Sequence, residues 1–288
     1  MRRSNLASVA ALALAAVAMP ALAQTGPPRP SPKATVSQVA GLTEITVSYS
    51  SPAVKGRPIW GALVPYDQIW RTGANEATTF KTSTDVMVEG KPLAAGTYAL
   101  FTIPRKDRWT VVFNSQAEQW GAFNHDKAKD VLSVDVTPTA APATERLAFD
   151  FRDFTDNGTT VVIRWEKVAV PFKVTFDTPK LAVAQAEKEL AAADVKPGAL
   201  ISWSRWLQQN GLAADKALVW VQRATATETG AKSYWGKAVE ARLLAKAGKK
   251  AEARAAAAAA VPLAPSAPDA ENAKADAAKL EQEAATWK

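Results

Sequence analysis

The sequence predicts two domains: an antiparallel β-sandwich or jelly-roll-like domain over residues 34–177, then an all-α domain of helical hairpins over residues 178–288. Three observations carry this. Apolar and polar residues alternate with period two in short runs as far as Phe176, with no helical stretch between them. Asn157-Gly158 sits between two such runs, a dipeptide suited to the positive φ angles of a tight turn. After Thr178-Pro179 the spacing of apolar residues changes to three and four, among Ala, Leu, Glu and Lys.

Taken in chain order, Arg2 and Arg3 followed by the apolar Leu6–Met19 and the small-x-small triplet Ala21-Leu22-Ala23 read as an export signal cleaved after Ala23. The expected location is therefore periplasmic or secreted. With no cysteine in the chain, a lipoprotein anchor is excluded, and so are disulfides, thiolate nucleophiles and Cys-based metal sites. No transmembrane anchor is expected after signal cleavage. Residues 24–33, QTGPPRPSPK, read as a Pro-rich, extended or disordered tether.

Within the β domain, Ile45, Val47 and Tyr49 alternate with Glu44, Thr46 and Ser48, giving one apolar face. Residues 85–88 and 93–103 flank a turn at Glu89-Gly90-Lys91, and residues 109–113 form a further run. Residues 146–153 and 159–168 make the hairpin around Asn157-Gly158. In the helical domain, Thr178 is the expected N-cap with Pro179 in the first turn. Helices are expected over 181–195, 200–209, 214–227, 232–247, 249–261 and 268–287. Ala217 and Ala224 recur 36 residues later as Ala253 and Ala260, a layout similar to tetratricopeptide repeats with degenerate aromatic positions.

The formal charge is +7, or +5 without Arg2 and Arg3, and the excess is mild and sits mostly in the C-terminal part, so no nucleic-acid partner is expected. The densest chemistry lies in residues 55–80, KGRPIWGALVPYDQIWRTGANEATTF, where large aromatics stand beside Arg71, Asn75 and Glu76. Glu76 is a candidate general acid if a second carboxylate such as Asp126 faces it. The competing reading is that Arg71, Asn75 and Glu76 pair with one another and pin an irregular loop. Trp60, Tyr66 and Trp120 stand next to Gly or Pro and are the best aromatic ligand contacts, whereas Trp203, Trp206, Trp220 and Trp235 read as helix-packing residues. His125 is the one histidine and would be the only base for a serine triad, for which no nucleophile motif exists. Asp126 and Asp130 are weak calcium candidates.

The strings SPAVKGRPIWGALVPYDQIWRTGANEAT, AGTYALFTIP, WTVVFN and QWGAF, with Asp130 downstream, resemble in matching order the secreted bacterial family known as domain of unknown function 2911. The resemblance runs from about Ser31 to Phe176. It implies a β domain, often followed by tetratricopeptide-like helices, and no established activity or cofactor. Where relatives commonly have Tyr, this chain has Phe123. The resemblance places any site on Lys55, Arg57, Trp70, Arg71, Asn75, Glu76, Trp120 and Asp130. The expected function is binding: a β module for a small-molecule or glycan-like ligand, no cofactor, and helical repeats as the surface for a protein partner. The rivals are a carboxylate hydrolase using Glu76 and a purely structural envelope component.

Overall fold

The computed structural model describes residues 27–288, so the expected signal segment and its cleavage site at Ala23 lie outside the described residues. The N-terminal region consists of two antiparallel sheets. The first contains β1 (Lys33–Ala40), β2 (Thr43–Ser50), β3 (Thr78–Thr82), β6 (Gly96–Ile103), β7 (Trp109–Asn114) and β8 (Asp130–Val136), adjacent in that order. The second runs β5 (Lys91–Leu93), β4 (Val86–Val88), β10 (Gly158–Thr175) and β9 (Thr139–Thr155). An apolar core shared by the two sheets takes Ile45, Val47, Phe80 and Phe113 from the first and Val88, Phe149, Ile163 and Phe172 from the second. The expected alternation holds in β2, where Ile45 and Val47 are fully buried and Glu44 is exposed.

Residues 93–103 do not form one strand. The chain leaves β5 after Leu93 and starts β6 at Gly96, crossing from one sheet to the other. Glu89 and Gly90, both at positive φ, make the turn between β4 and β5.

The β9–β10 hairpin is longer than expected, and its turn is Asp156–Asn157, with Gly158 already paired to Thr155. Gly158 does not supply a positive φ. Its role is close approach, because β10 curves until Phe176 N donates to Asn157 O at 3.0 Å and the Val174 carbonyl lies against Gly158. Register shifts around Glu166, itself at φ 56°, produce that curvature.

Seven α-helices follow: α1 (Thr178–Leu190), α2 (Pro197–Gln209), α3 (Ala214–Thr225), α4 (Glu228–Ala231), α5 (Tyr234–Lys246), α6 (Lys250–Ala260) and α7 (Ala270–Thr286). The N-cap of α1 is Asp177, which accepts from Lys180 N, while Thr178 turns its hydroxyl to the Asp156 carbonyl. Thr178 is therefore a tie between hairpin turn and helix rather than the expected cap. α1 also stops at Leu190 instead of reaching residue 195. Ala217, Ala224, Ala253 and Ala260 are fully buried, as small residues must be where helix backbones approach. Ala273, Ala277 and Leu280 bury one stripe of α7. Among the described residues no helix is long and apolar enough to cross a membrane.

Candidate functional site

The segment between β2 and β3 is a long irregular loop anchored at four places. Ala53 bridges to Arg146, Trp70 to Thr102, and Glu76 to Trp120, while Ala74 N donates to Ser50 O. Positive φ at Lys55, Asp67, Thr72 and Asn75 lets the chain reverse direction repeatedly. The Glu76–Trp120 bridge, with Ala77 N donating to Gln119 O and Gly121 N to Asn75 O, joins two motifs that are 44 residues apart.

The loop is pinned, but not by the residues expected to pin it. Thr72, buried at φ 54°, meets the Thr102 hydroxyl at 3.1 Å, and its carbonyl accepts from the Thr78 hydroxyl at 2.8 Å. Trp70 Nε1 donates to Gly73 O at 3.1 Å. Arg71, Asn75 and Glu76 do not pair with one another. Asn75 Nδ2 donates to Ser31 O at 3.2 Å, and Glu76 Oε1 accepts from Arg29 Nη1 at 2.6 Å. The left-handed turns at Thr72 and Asn75 send Arg71 and Glu76 into different cavities, which corrects the expected Arg71–Glu76 pair. Arg29–Pro32, within the expected tether, lie along this loop: Pro32 O accepts from Ser51 N, and Pro30 O accepts from Arg146.

The expected aromatic contacts separate into two groups. Trp60 packs edge-on against Trp109 at 4.9 Å between ring centroids, and against Trp70 and Trp165 at 5.9 and 5.8 Å. Trp70 stacks on Trp165 at 5.8 Å and 18°. Trp60 thus belongs to a four-tryptophan core cluster. Tyr66 lies half-buried with its ring over Gly61, whose φ of 80° leaves room for it. Of the three expected contacts only Trp120 is open to solvent, at 56% exposure. It lines a cavity of about 380 Å³ together with Lys33, Tyr49, Glu76, Glu118 and Gln119. Hydrogen bonding to Arg29 holds the Glu76 carboxyl below its usual pKa. Gln119 Nε2 donates to Gln116 O at 2.6 Å, which fixes the amide and leaves Oε1 buried with no partner.

The remaining candidates serve the backbone. Arg57 donates to Ala53 O at 2.5 Å and Val54 O at 3.1 Å, closing its own turn. The Lys55 amide donates to Glu145. His125 Nε2 lies 2.9 Å from Asp130 Oδ1, which also accepts from Asn114 Nδ2 at 2.7 Å, and the imidazole packs edge-on to Phe101. Asp126 accepts from Ala128 N and caps a short 3-10 turn at Lys127–Lys129. Asp126 and Asp130 therefore point to different local bonds, and the described residues hold no group of three or more His, Asp or Glu placed to bind a metal. Asp126 is absent from the Glu76 cavity, where the neighbouring carboxylate is Glu118.

Sequence reasoning missed Arg29, Lys33, Tyr49, Glu118 and Gln119. Gln119 had a signal, its place beside Trp120 in the QWGAF string; Arg29 had none. A larger cavity, about 660 Å³, lies elsewhere, where Gly41, Asp156 and Asn157 meet Thr178, Trp203 and Trp206. Asn157 Oδ1 and Thr178 N already bond to each other at 3.2 Å, so we assign that space to the junction of sheet and helices.

Fold and loop together define a class: an antiparallel β domain of two sheets with a pinned motif loop, continued by a helical region. The chain belongs to the family described as protein of unknown function (DUF2911), whose model matches residues 31–174. No curated protein and no solved structure matches it significantly.

Proposed function

We propose that the protein is an exported binding module whose ligand site is the cavity beside Trp120. The ligand class is a polyol or glycan-like molecule. The observation that carries this reading is an exposed indole next to a buried acceptor, Gln119 Oε1, that has no donor. A sugar ring offers an apolar face to stack on the indole and hydroxyls to satisfy the amide oxygen. Ser48, Ser50 and Thr79 add further hydroxyl-bearing residues to the wall.

Finer features of the fold fit the same reading. The shared core of the two sheets supports a β-sandwich, whose rim carries the motif loop. Two helix pairs, α2–α3 and α5–α6, with buried alanines repeating at 36 residues, support a tetratricopeptide-like stack offering a protein partner its surface. Export, to the periplasm or beyond, rests on residues 1–23 of the sequence.

A hydrolase is the second reading, since Glu76 and Glu118 share the cavity. A general acid at neutral pH needs a raised pKa, and Glu76 is held low by Arg29. Retention on soluble and insoluble polysaccharides tests binding. Trp120→Ala and Gln119→Ala should each weaken retention about tenfold or more. If both variants are retained like the wild type, the site is misassigned. Release of reducing ends that disappears in Glu76→Gln would favour the hydrolase.

A further inference from the structure

A separate cavity of about 290 Å³ shares no lining residue with the one beside Trp120. Arg71 enters it among Leu63, Ile69, Ala122 and Phe123. The guanidinium is half-buried, and its Nε is sealed from solvent without a hydrogen-bond partner. Among the described residues no ion pair includes Arg71; the nearest carboxylates in sequence, Asp67 and Glu76, are taken by Arg105 and Arg29. Burial pushes the Arg71 pKa down, the direction expected of a cation that has lost water without gaining an anion.

Arginine stays charged wherever it sits, so a partly desolvated guanidinium without an anion is a standing free-energy cost. Its surroundings narrow what could remove that cost. Leu63 is 46% and Phe123 83% exposed, large apolar surfaces left uncovered at the cavity edge. Phe123 is held there by its ring lying over Gly121, at φ 69°. One planar cation suits the fork of a carboxylate, whereas a phosphate dianion calls for more donors than one guanidinium and the Gln68 amide.

We propose that this cavity binds a small organic carboxylate with an apolar body. Arg71 takes the carboxylate in a two-bond pair, and Leu63 and Phe123 cover the apolar part. The occupant is defined by charge complementarity and by the uncovered aromatic beside it, independently of any ligand at Trp120.

Isothermal titration of the full chain with octanoate tests this, alongside acetate (charge without body), 1-octanol (body without charge) and inorganic phosphate. Octanoate should bind saturably at one site, with the other three at least about tenfold weaker. Arg71→Gln should lose at least about tenfold, and Phe123→Ser should weaken binding with the fold intact by circular dichroism. Trp120→Ala should leave octanoate binding unchanged, so failure of the glycan reading and failure of this one are distinguishable. Absent saturable binding, equal affinity for octanol, or undiminished binding by Arg71→Gln would overturn the proposal. Should Arg71→Gln not fold, undiminished binding by Phe123→Ser would overturn it equally.

Discussion

Arg29 donates to Glu76 at 2.6 Å across 47 residues of sequence, and this contact fastens the entry of the chain to the motif loop. The same bond depresses the Glu76 pKa below that of an unfolded glutamate, about 4.3. A depressed carboxyl contributes stability that is present above the unfolded pKa and is lost as pH falls through the folded one. Both side chains are 43% exposed, so solvent screens the pair and its contribution stays within about 1 kcal/mol. Arg29→Gln should lower the urea midpoint slightly at pH 7. The difference from wild type should narrow as pH falls below about 4.3 and shrink in about 1 M salt. A gap that persists at acid pH would mean that Arg29 stabilises through something other than this carboxylate.

Gly121 links the two cavities, since it follows Trp120 and lies beneath Phe123. Its φ is 69°, and a β-carbon there would stand 2.8 Å from the Phe123 ring. Gly121→Ala should cost about 1–2 kcal/mol from the left-handed backbone alone, plus the displacement of Phe123. Adding Phe123→Ala removes the clash but not the strain, so the double variant should recover only part of the loss in a thermodynamic cycle. Full additivity would show that the ring does not rest on Gly121 in solution.

What the sequence revealed, and what it hid, follows from the range of each signal. Alternation at Ile45 and Val47 reports which side of a strand is apolar, and it was sufficient to place β2 and the core. It carries nothing about curvature, so the return of β10 to its own start, with Phe176 bonded to Asn157, was invisible. The helices were legible because one face of α7 or α3 is a local pattern; their first and last turns were not, because Asp177 and Thr178 exchange roles through a contact with Asp156. At the candidate site, proximity in sequence misled. Arg71 and Glu76 are five residues apart, yet Thr72 and Asn75 at positive φ turn them apart, and only Gly73 between them hints at that freedom. Trp60 reads as a loop aromatic because its neighbour is glycine, but it packs on Trp70 of the same loop and on Trp109 and Trp165 from two distant strands.

The tryptophans give a direct separation of core from surface. Trp165 is 2% exposed and stacked on Trp70. Trp165→Ala should cost about 3–5 kcal/mol in urea denaturation and reduce the near-ultraviolet circular dichroism of the cluster. Trp120→Ala, at an exposed ring, should stay within about 0.5 kcal/mol of wild type. If Trp120→Ala proved as destabilising as Trp165→Ala, Trp120 would be a packing residue and its part in binding would have to be abandoned.

In the helical region one network clamps α5 to α7. Arg242 donates to both oxygens of Asp276 at 3.0 and 3.1 Å and to Glu283 at 2.7 and 3.2 Å, while the Tyr234 hydroxyl donates to Asp276 at 2.7 Å. Burial alone would raise the Asp276 pKa; Arg242 and Tyr234 more than offset it, and the carboxyl ends below its usual value. Arg242 is only 15% exposed, so Arg242→Ala strands two carboxylates and should cost about 3 kcal/mol, the lower end for breaking a buried pair. Tyr234 is affected in the opposite direction: burial first, then the bond to Asp276, raises its pKa. A raised pKa means stability complete below the unfolded tyrosine value of about 10 and lost as pH climbs toward the folded one. Tyr234→Phe removes the hydrogen bond but also the group that titrates. It should therefore be less stable than wild type at pH 7, with the difference narrowing between about pH 10 and 11. A difference constant over that interval would show that Tyr234 does not ionise in the unfolded chain with the ordinary value, or that its hydroxyl is not bonded to Asp276.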